Sequence, residues 1–269
     1  MKRRVLAVVL VATLPSVAIA AGQREQERTA VTVRVAQGTT TVVARRADTA
    51  GTLRRAVLAG RYRLPRAAPG DAIGGRALEG PVLLERVDPP AGASIFALLP
   101  TGLGGAKLRI ALAGRWSFDA ISPNGRRVYL IQHDVDGDPS HYAVRMYDVA
   151  RRKLQKGRVA DKRELDEEMS GTPIWRESGP DERWAYTLYE RPRAARFIHA
   201  LDTTSGAAVC IDLPAEMPNG SEEPGMRLTI DTAGRELRVL YRDGREAVAV
   251  AVRQSLSSYD DFKVTRFDR

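Results

Sequence analysis

A β-propeller is the fold this chain of 269 residues predicts: all-β, built of four-stranded antiparallel blades, about five of them, closed by a terminal strand. Three observations predict it. Short strand-like runs recur with a period of ~50 residues, as propeller blades do. The runs are apolar rather than alternating, as expected of strands covered on both faces. Turn dipeptides punctuate them, Asn124-Gly125 and Asp243-Gly244 among them, and such pairs favour tight hairpins in which both central residues have positive φ.

The units follow in chain order. An incomplete one spans about 30–58 and lacks an innermost strand. The next, 59–112, repeats the end of the first: Val57-Leu-Ala-Gly-Arg-Tyr62 returns as Ala111-Leu-Ala-Gly-Arg-Trp116. The clearest copy, 113–160, carries Trp116-Ser-Phe-Asp-Ala-Ile121, the turn Ser122-Pro-Asn-Gly125, Val128-Tyr-Leu-Ile131 and Tyr142-Ala-Val-Arg-Met-Tyr-Asp148. Unit 171–213 places Trp184-Ala-Tyr-Thr-Leu-Tyr189 before Phe197-Ile-His-Ala-Leu-Asp202, and unit 225–256 places Leu237-Arg-Val-Leu-Tyr241 before Ala247 to Val252. Phe262 to Phe267 is a strand without a blade. Pairing it with the incomplete first unit would close the ring and remove two exposed sheet edges.

Residues 1–20 read as an export signal. Lys2, Arg3 and Arg4 form its positive end, Val5 to Leu14 its apolar segment and Ala18-Ile19-Ala20 its cleavage site. The apolar segment is short against the ~20 residues of a membrane span. Residues 21–269 are then one exported, extracytoplasmic domain, secreted or envelope-associated, with no transmembrane segment after cleavage and a monomeric state. The formal charge is +9, three of it from Lys2, Arg3 and Arg4. Its arginines are scattered rather than gathered in a stripe, which with export argues against nucleic acid as the partner. The single Cys210 forms no internal disulfide and reads as a small buried hydrophobe, because no His lies near it in sequence.

Ser122-Pro-Asn-Gly125 with Val128-Tyr129, followed by Val144-Arg-Met-Tyr-Asp148 and Lys153-Leu154, resembles the repeat of WD40-like and YVTN-type bacterial propellers, which reads SPDG…YV…V-D…G. Two good repeats and two or three poor ones carry the resemblance. It departs at Asn124, at Asp181-Glu182 where Asp-Gly is expected, and at Arg151-Arg152 where a Gly is expected. The resemblance implies the fold and leaves activity open, since its members include binding scaffolds, lipoproteins, periplasmic accessory factors and a few hydrolases.

No nucleophile elbow, zinc-binding H-E-x-x-H, phosphate-cradling loop or C-x-x-C pair occurs. Two acidic loops are the candidate binding face: Asp134, Asp136 and Asp138 in one, and Asp161, Glu164 and Asp166, with Glu167 and Glu168, in the other. They share one unit and its exit, so topology makes them neighbours. No motif implies a cofactor, but this oxygen-rich face is where a hard cation such as calcium would fit. The segment Glu190 to Arg196 is expected on the same face, where its arginines would neutralise the acids. Asp119, beside Trp116 and Phe118 on an innermost strand, is the candidate for lining the central channel. His199, inside an apolar strand, is expected to be a hydrogen-bonded structural imidazole. The readings that remain are an exported non-catalytic scaffold binding a protein, peptide or envelope polymer at its loop-rich face, a metal-dependent hydrolase of the lactonase or esterase kind, and a purely structural envelope protein.

Overall fold

The computed structural model describes residues 29–46, 52–71, 80–133, 141–161, 169–191, 195–215, 217, 225–252 and 262–267. They form five antiparallel sheets in chain order, the blades of a propeller. The first has three strands, β1 (Thr29–Ala36), β2 (Thr39–Arg46) and β3 (Thr52–Ala59). The second has β4 (Tyr62–Arg63), β5 (Val82–Arg86), β6 (Ala93–Leu99) and β7 (Leu108–Ala113). The third has β8 (Trp116–Ile121), β9 (Arg127–His133), β10 (Tyr142–Asp148) and β11 (Lys153–Leu154). The fourth has β12 (Thr172–Ser178), β13 (Trp184–Glu190), β14 (Phe197–Asp202) and β15 (Ala208–Asp212). The fifth has β16 (Arg227–Ile230), β17 (Glu236–Leu240), β18 (Glu246–Val252) and β19 (Phe262–Phe267).

A hydroxyl clasp identifies the missing strand of the first sheet. Ser94 Oγ donates to the carbonyl of Gly114 and accepts from the amide of Trp116, locking the crossing from the last strand of sheet two to the first strand of sheet three. Thr40 does the same with Gly60 and Tyr62 at 2.7 and 2.9 Å. Gly60 and Gly114 donate to Gly38 and Gly92 in the same way. β1, β2 and β3 therefore correspond to β5, β6 and β7, and the first sheet lacks the equivalent of β4 among the described residues.

The terminal strand differs from expectation. β19 pairs with β18 from Val248↔Phe267 to Val252↔Phe262, as the outermost strand of its own sheet, and not with the first sheet. The reason is packing: Phe262 stands edge-on to Trp184 and Tyr186 at 5.8 and 6.4 Å, covering apolar surface between sheets four and five.

The turns also refine the reading. Asn124 and Asp243 do not take positive φ; only Gly125 (67°) and Gly244 (91°) do. Gly125 N–H donates to the Ser122 carbonyl, so Ser122 to Gly125 is a type I turn with Pro123 at the position that its fixed φ suits. The same hydrogen bonds recur from Glu182 to Gly179 and from Gly234 to Asp231. Glu182 adopts φ 59° where the repeat has Gly, and Arg152 adopts φ 54° at the other departure from it. The conformation persists where the glycine does not. Asn124 Oδ1 accepts from the amide of Arg126 as Asp181 Oδ1 accepts from that of Arg183. The hairpin of β1 and β2 turns on two residues with positive φ, Gln37 and Gly38.

Four hydrophobic clusters lie between successive sheets. Val42 and Leu84 belong to the first, Phe96 and Leu130 to the second, Val144 and Phe197 to the third, and Leu188 and Val250 to the fourth. Each such side chain, fully buried, contributes about 1.5–3 kcal/mol of transfer free energy. The middle strands are covered on both faces, which is why Leu83 and Leu84 are both 0 % exposed and why their sequences do not alternate.

Candidate functional site

Strands β8 and β12 and the segment that follows β4 bring charged side chains together. β8 carries a bulge: Phe118 pairs with Leu130 and Ala120 with Tyr129, leaving Asp119 as the extra residue. A bulge re-aims a side chain without breaking the strand. It sets Asp119 in the interior, 2 % exposed, with Oδ2 lacking a hydrogen-bond partner.

Arg176 of β12 faces sheet three. Its guanidinium carbon lies 5.6 Å from the Phe118 ring centroid, and Nη1 lies 3.4 Å from Oδ2 of Asp71. Asp71 ends the segment that follows β4, and the same Oδ2 accepts from the amide of Ala67 at 3.0 Å. The segment reaches past sheet three to sheet four, where Gly70 N–H donates to the carbonyl of Ile174. Gly70 is required there by space: a Cβ would stand 2.1 Å from Trp175 Cε3. A hydrogen bond and an ion pair thus join the segment after β4 to β12.

Burial pushes the Asp119 carboxyl up to about 6, with Arg176 opposing and Asp71 reinforcing the shift. Burial also raises Glu177, while the Trp175 indole N–H, donating to Glu177 Oε1 at 3.0 Å, works against it. Tyr142 and Tyr189 stack at 6.1 Å with both hydroxyls buried. Burial is the main cause that raises both phenols; Tyr142 and then Asp119 raise Tyr189 further, while the Tyr189 hydroxyl lowers Tyr142 against Asp119. The arrangement offers one carboxyl that titrates near neutrality beside a fixed cation.

Of the predicted site residues, Asp119 lies on β8, the first strand of sheet three, and is buried. Asp134, Asp136, Asp138, Glu164 and Asp166, with Glu167 and Glu168, lie outside the described residues. Asp161 does not fit the picture of a solvated acidic loop. It is 3 % exposed, its Oδ2 accepts from the amide of Cys210 at 2.8 Å, and its backbone bridges Ala208. Its carboxylate pins the connection leaving sheet three to the outer strand of sheet four. Arg196 pairs with Glu190 within its own segment at 2.9 Å, and Arg191 covers the Phe197 ring at 4.0 Å.

The buried ring of His199 leaves Nε2 without a hydrogen-bond partner. Burial lowers it to about 4 against the pull of Asp161, so the ring is neutral. It sits directly opposite Cys210 across β14 and β15. Cys210 is buried, 8 % exposed. The pairing was invisible in sequence because it is made across strands. Asp71 and Arg176 were missed for the same reason: their contact spans 105 residues. Among the described residues, no group of three or more His, Cys, Asp or Glu side chains is placed to share a metal ion.

A cleft of about 370 Å³ lies between sheets four and five. The repeated turns Gly179 to Asp181 and Ile230 to Gly234 form its lips, Trp184, Tyr186 and Val252 its apolar wall, and Asp181 and Arg183 its polar rim. Arg183 is held by Asp202 at 2.7 Å.

No protein-family model matches the chain, and no curated protein sequence matches it. Similar solved structures exist at low identity. Hydrazine synthase of Kuenenia stuttgartiensis is 12 % identical at a TM-score of 0.40, covering 89 % of this chain and 86 % of that one. TolB from Acinetobacter baumannii is 11 % identical at 0.39, covering 89 % and 57 %, so this chain spans under two thirds of it. Prolyl oligopeptidase B from Galerina marginata is 8 % identical at 0.47, covering 89 % and 32 %. These likenesses concern fold. The five-sheet topology of the chain itself makes it a β-propeller.

Proposed function

We propose that the chain is an exported, non-catalytic propeller scaffold of the WD40-like, YVTN-type kind that binds a protein, peptide or envelope polymer at its loop-rich surface. The cleft between sheets four and five carries this reading, because it supplies apolar walls with a polar rim at the surface. The export signal at residues 1–20 and an envelope location belong to the same proposal, as does calcium binding at the acidic loops. No described helix is long and apolar enough to cross a membrane.

The test is a thermal-shift screen of residues 21–269 against envelope polysaccharides, a peptide library, divalent metals and chelator. It is paired with hydrolysis of chromogenic esters and lactones. A ligand of the native state raises the melting temperature. The scaffold reading expects a polysaccharide or peptide shift that survives Asp119→Asn and is lost in Ala233→Arg, which fills the cleft mouth from an exposed position. Ester or lactone turnover abolished by Asp119→Asn would overturn it and restore the hydrolase.

A further inference from the structure

Asp181 carries a charge that its turn does not need. It stands exposed on one lip of the cleft between sheets four and five, with Oδ1 accepting from the amide of Arg183. Asn124 makes the same hydrogen bond without a charge, from the equivalent turn of sheet three. The cation on the rim is already committed: Arg183 Nε and Nη2 both donate to Oδ2 of Asp202, at 3.1 and 2.7 Å. Two carboxylates thus stand against one guanidinium. Their field reaches the wall, where burial raises the Tyr186 phenol and the charges of Asp181 and Asp202 raise it further. Trp184, Ile230 and Val252 line the cleft beside it with apolar surface. The cleft is therefore locally negative in a chain whose formal charge is +9.

We propose that the cleft takes a primary ammonium on an alkyl stem, as a lysine side chain of a partner peptide presents it. The ammonium lies against the Asp181 carboxylate at the rim and the methylene stem along Trp184 and Val252. Long cationic side chains lie on apolar surface in this way while their charge stays in water. At about 370 Å³ the cleft is at the small end of ligand pockets, which suits one side chain rather than a folded surface. The ammonium site names the ligand class of the scaffold's cleft and rests on that reading. The chain as a whole repels a basic ligand, so a preference for lysine over an acidic residue has its source in the cleft.

The probe is a labelled, blocked pentapeptide of alanine with lysine at its centre, titrated into the full chain by fluorescence anisotropy. Peptides with norleucine or glutamate at the centre are the comparisons, together with the variants Asp181→Asn and Ala233→Arg. The lysine peptide is expected to bind at least about tenfold more tightly than either comparison peptide. That preference should vanish in Asp181→Asn and shrink as salt rises. Asp181→Asn keeps the turn, since Asn124 already serves in its counterpart, and the comparison of lysine with norleucine on the parent chain needs no variant. Norleucine or glutamate bound as tightly as lysine, an undiminished preference in Asp181→Asn, or no binding of the lysine peptide would overturn the proposal. The scaffold reading fails by a different result, namely every ligand of the thermal-shift screen surviving Ala233→Arg. A screened ligand lost in Ala233→Arg, with no preference for lysine, would remove the ammonium site alone.

Discussion

Two buried groups titrate in opposite senses within one pH window. Asp119 is raised from 3.8 to about 6, so the native state holds its proton more tightly and stability is lost as pH rises between about 4 and 6. His199 is lowered from 6.5 to about 4, so the native state resists protonation and stability is lost as pH falls through the same range. Each contribution is about 3 kcal/mol at 1.36 kcal/mol per pH unit, and together they flatten the profile. Removing one should reveal the other. Asp119→Asn is expected to leave a protein that weakens on acidification, and His199→Gln one that weakens on going from pH 4 to pH 6, both followed by urea denaturation. Parallel profiles for the two variants would refute the assignment. Glu182 offers a simpler case: its φ of 59° costs a residue with a Cβ about 1 kcal/mol or more. Glu182→Gly should raise the urea midpoint by an amount equivalent to up to about 1 kcal/mol.

At the scale of elements, the segment from β4 to Asp71 is the least conventional piece of the fold, since it joins a sheet to its second neighbour. Gly70→Ala places a methyl group 2.1 Å from the Trp175 ring. It should cost about 1–3 kcal/mol in unfolding free energy, the usual range for overpacking, whereas Gly92→Ala meets nothing within 4 Å and pays only for its φ of 71°. A Gly70→Ala variant as stable as the parent would mean that the segment does not seat on β12. The elements themselves were largely legible beforehand. The boundaries of the first two units and of unit 171–213 fell within a few residues of the sheets, because apolar runs between turn residues report burial on both faces, whereas unit 225–256 left out β19. The three-stranded first sheet among the described residues was legible too, through the repeat of Val57 to Tyr62 at Ala111 to Trp116. What misled was the turn chemistry: a dipeptide such as Asn124-Gly125 suits both a two-residue turn and a type I turn ending in glycine, and the hydrogen bond from Gly125 to Ser122 selects the second.

For the whole molecule, β19 completes the fifth sheet and shields the aromatic cluster of Trp184 and Tyr186. Truncation after Val252 is therefore expected to lower the melting temperature cooperatively and to weaken the interface between sheets four and five first. Hydrogen exchange should show β16 to β18 losing protection ahead of β5 to β7, and uniform loss would contradict this order. The candidate site was legible only in part. Asp119 could be named from its place on an inner strand, but Asp71 and Arg176 are ordinary charged residues in sequence and become a site only when sheets two and four converge. Asp161 had the composition of a solvated loop and proved to be a buried staple for Cys210. Strand pattern, turn positions and blade count were determined by the sequence alone, because each depends on local periodicity and on conformations that few residues accept. The contact of Asp71 with Arg176, the pairing of His199 with Cys210 and the partner of β19 were decided by tertiary structure alone, because each depends on which distant strands meet.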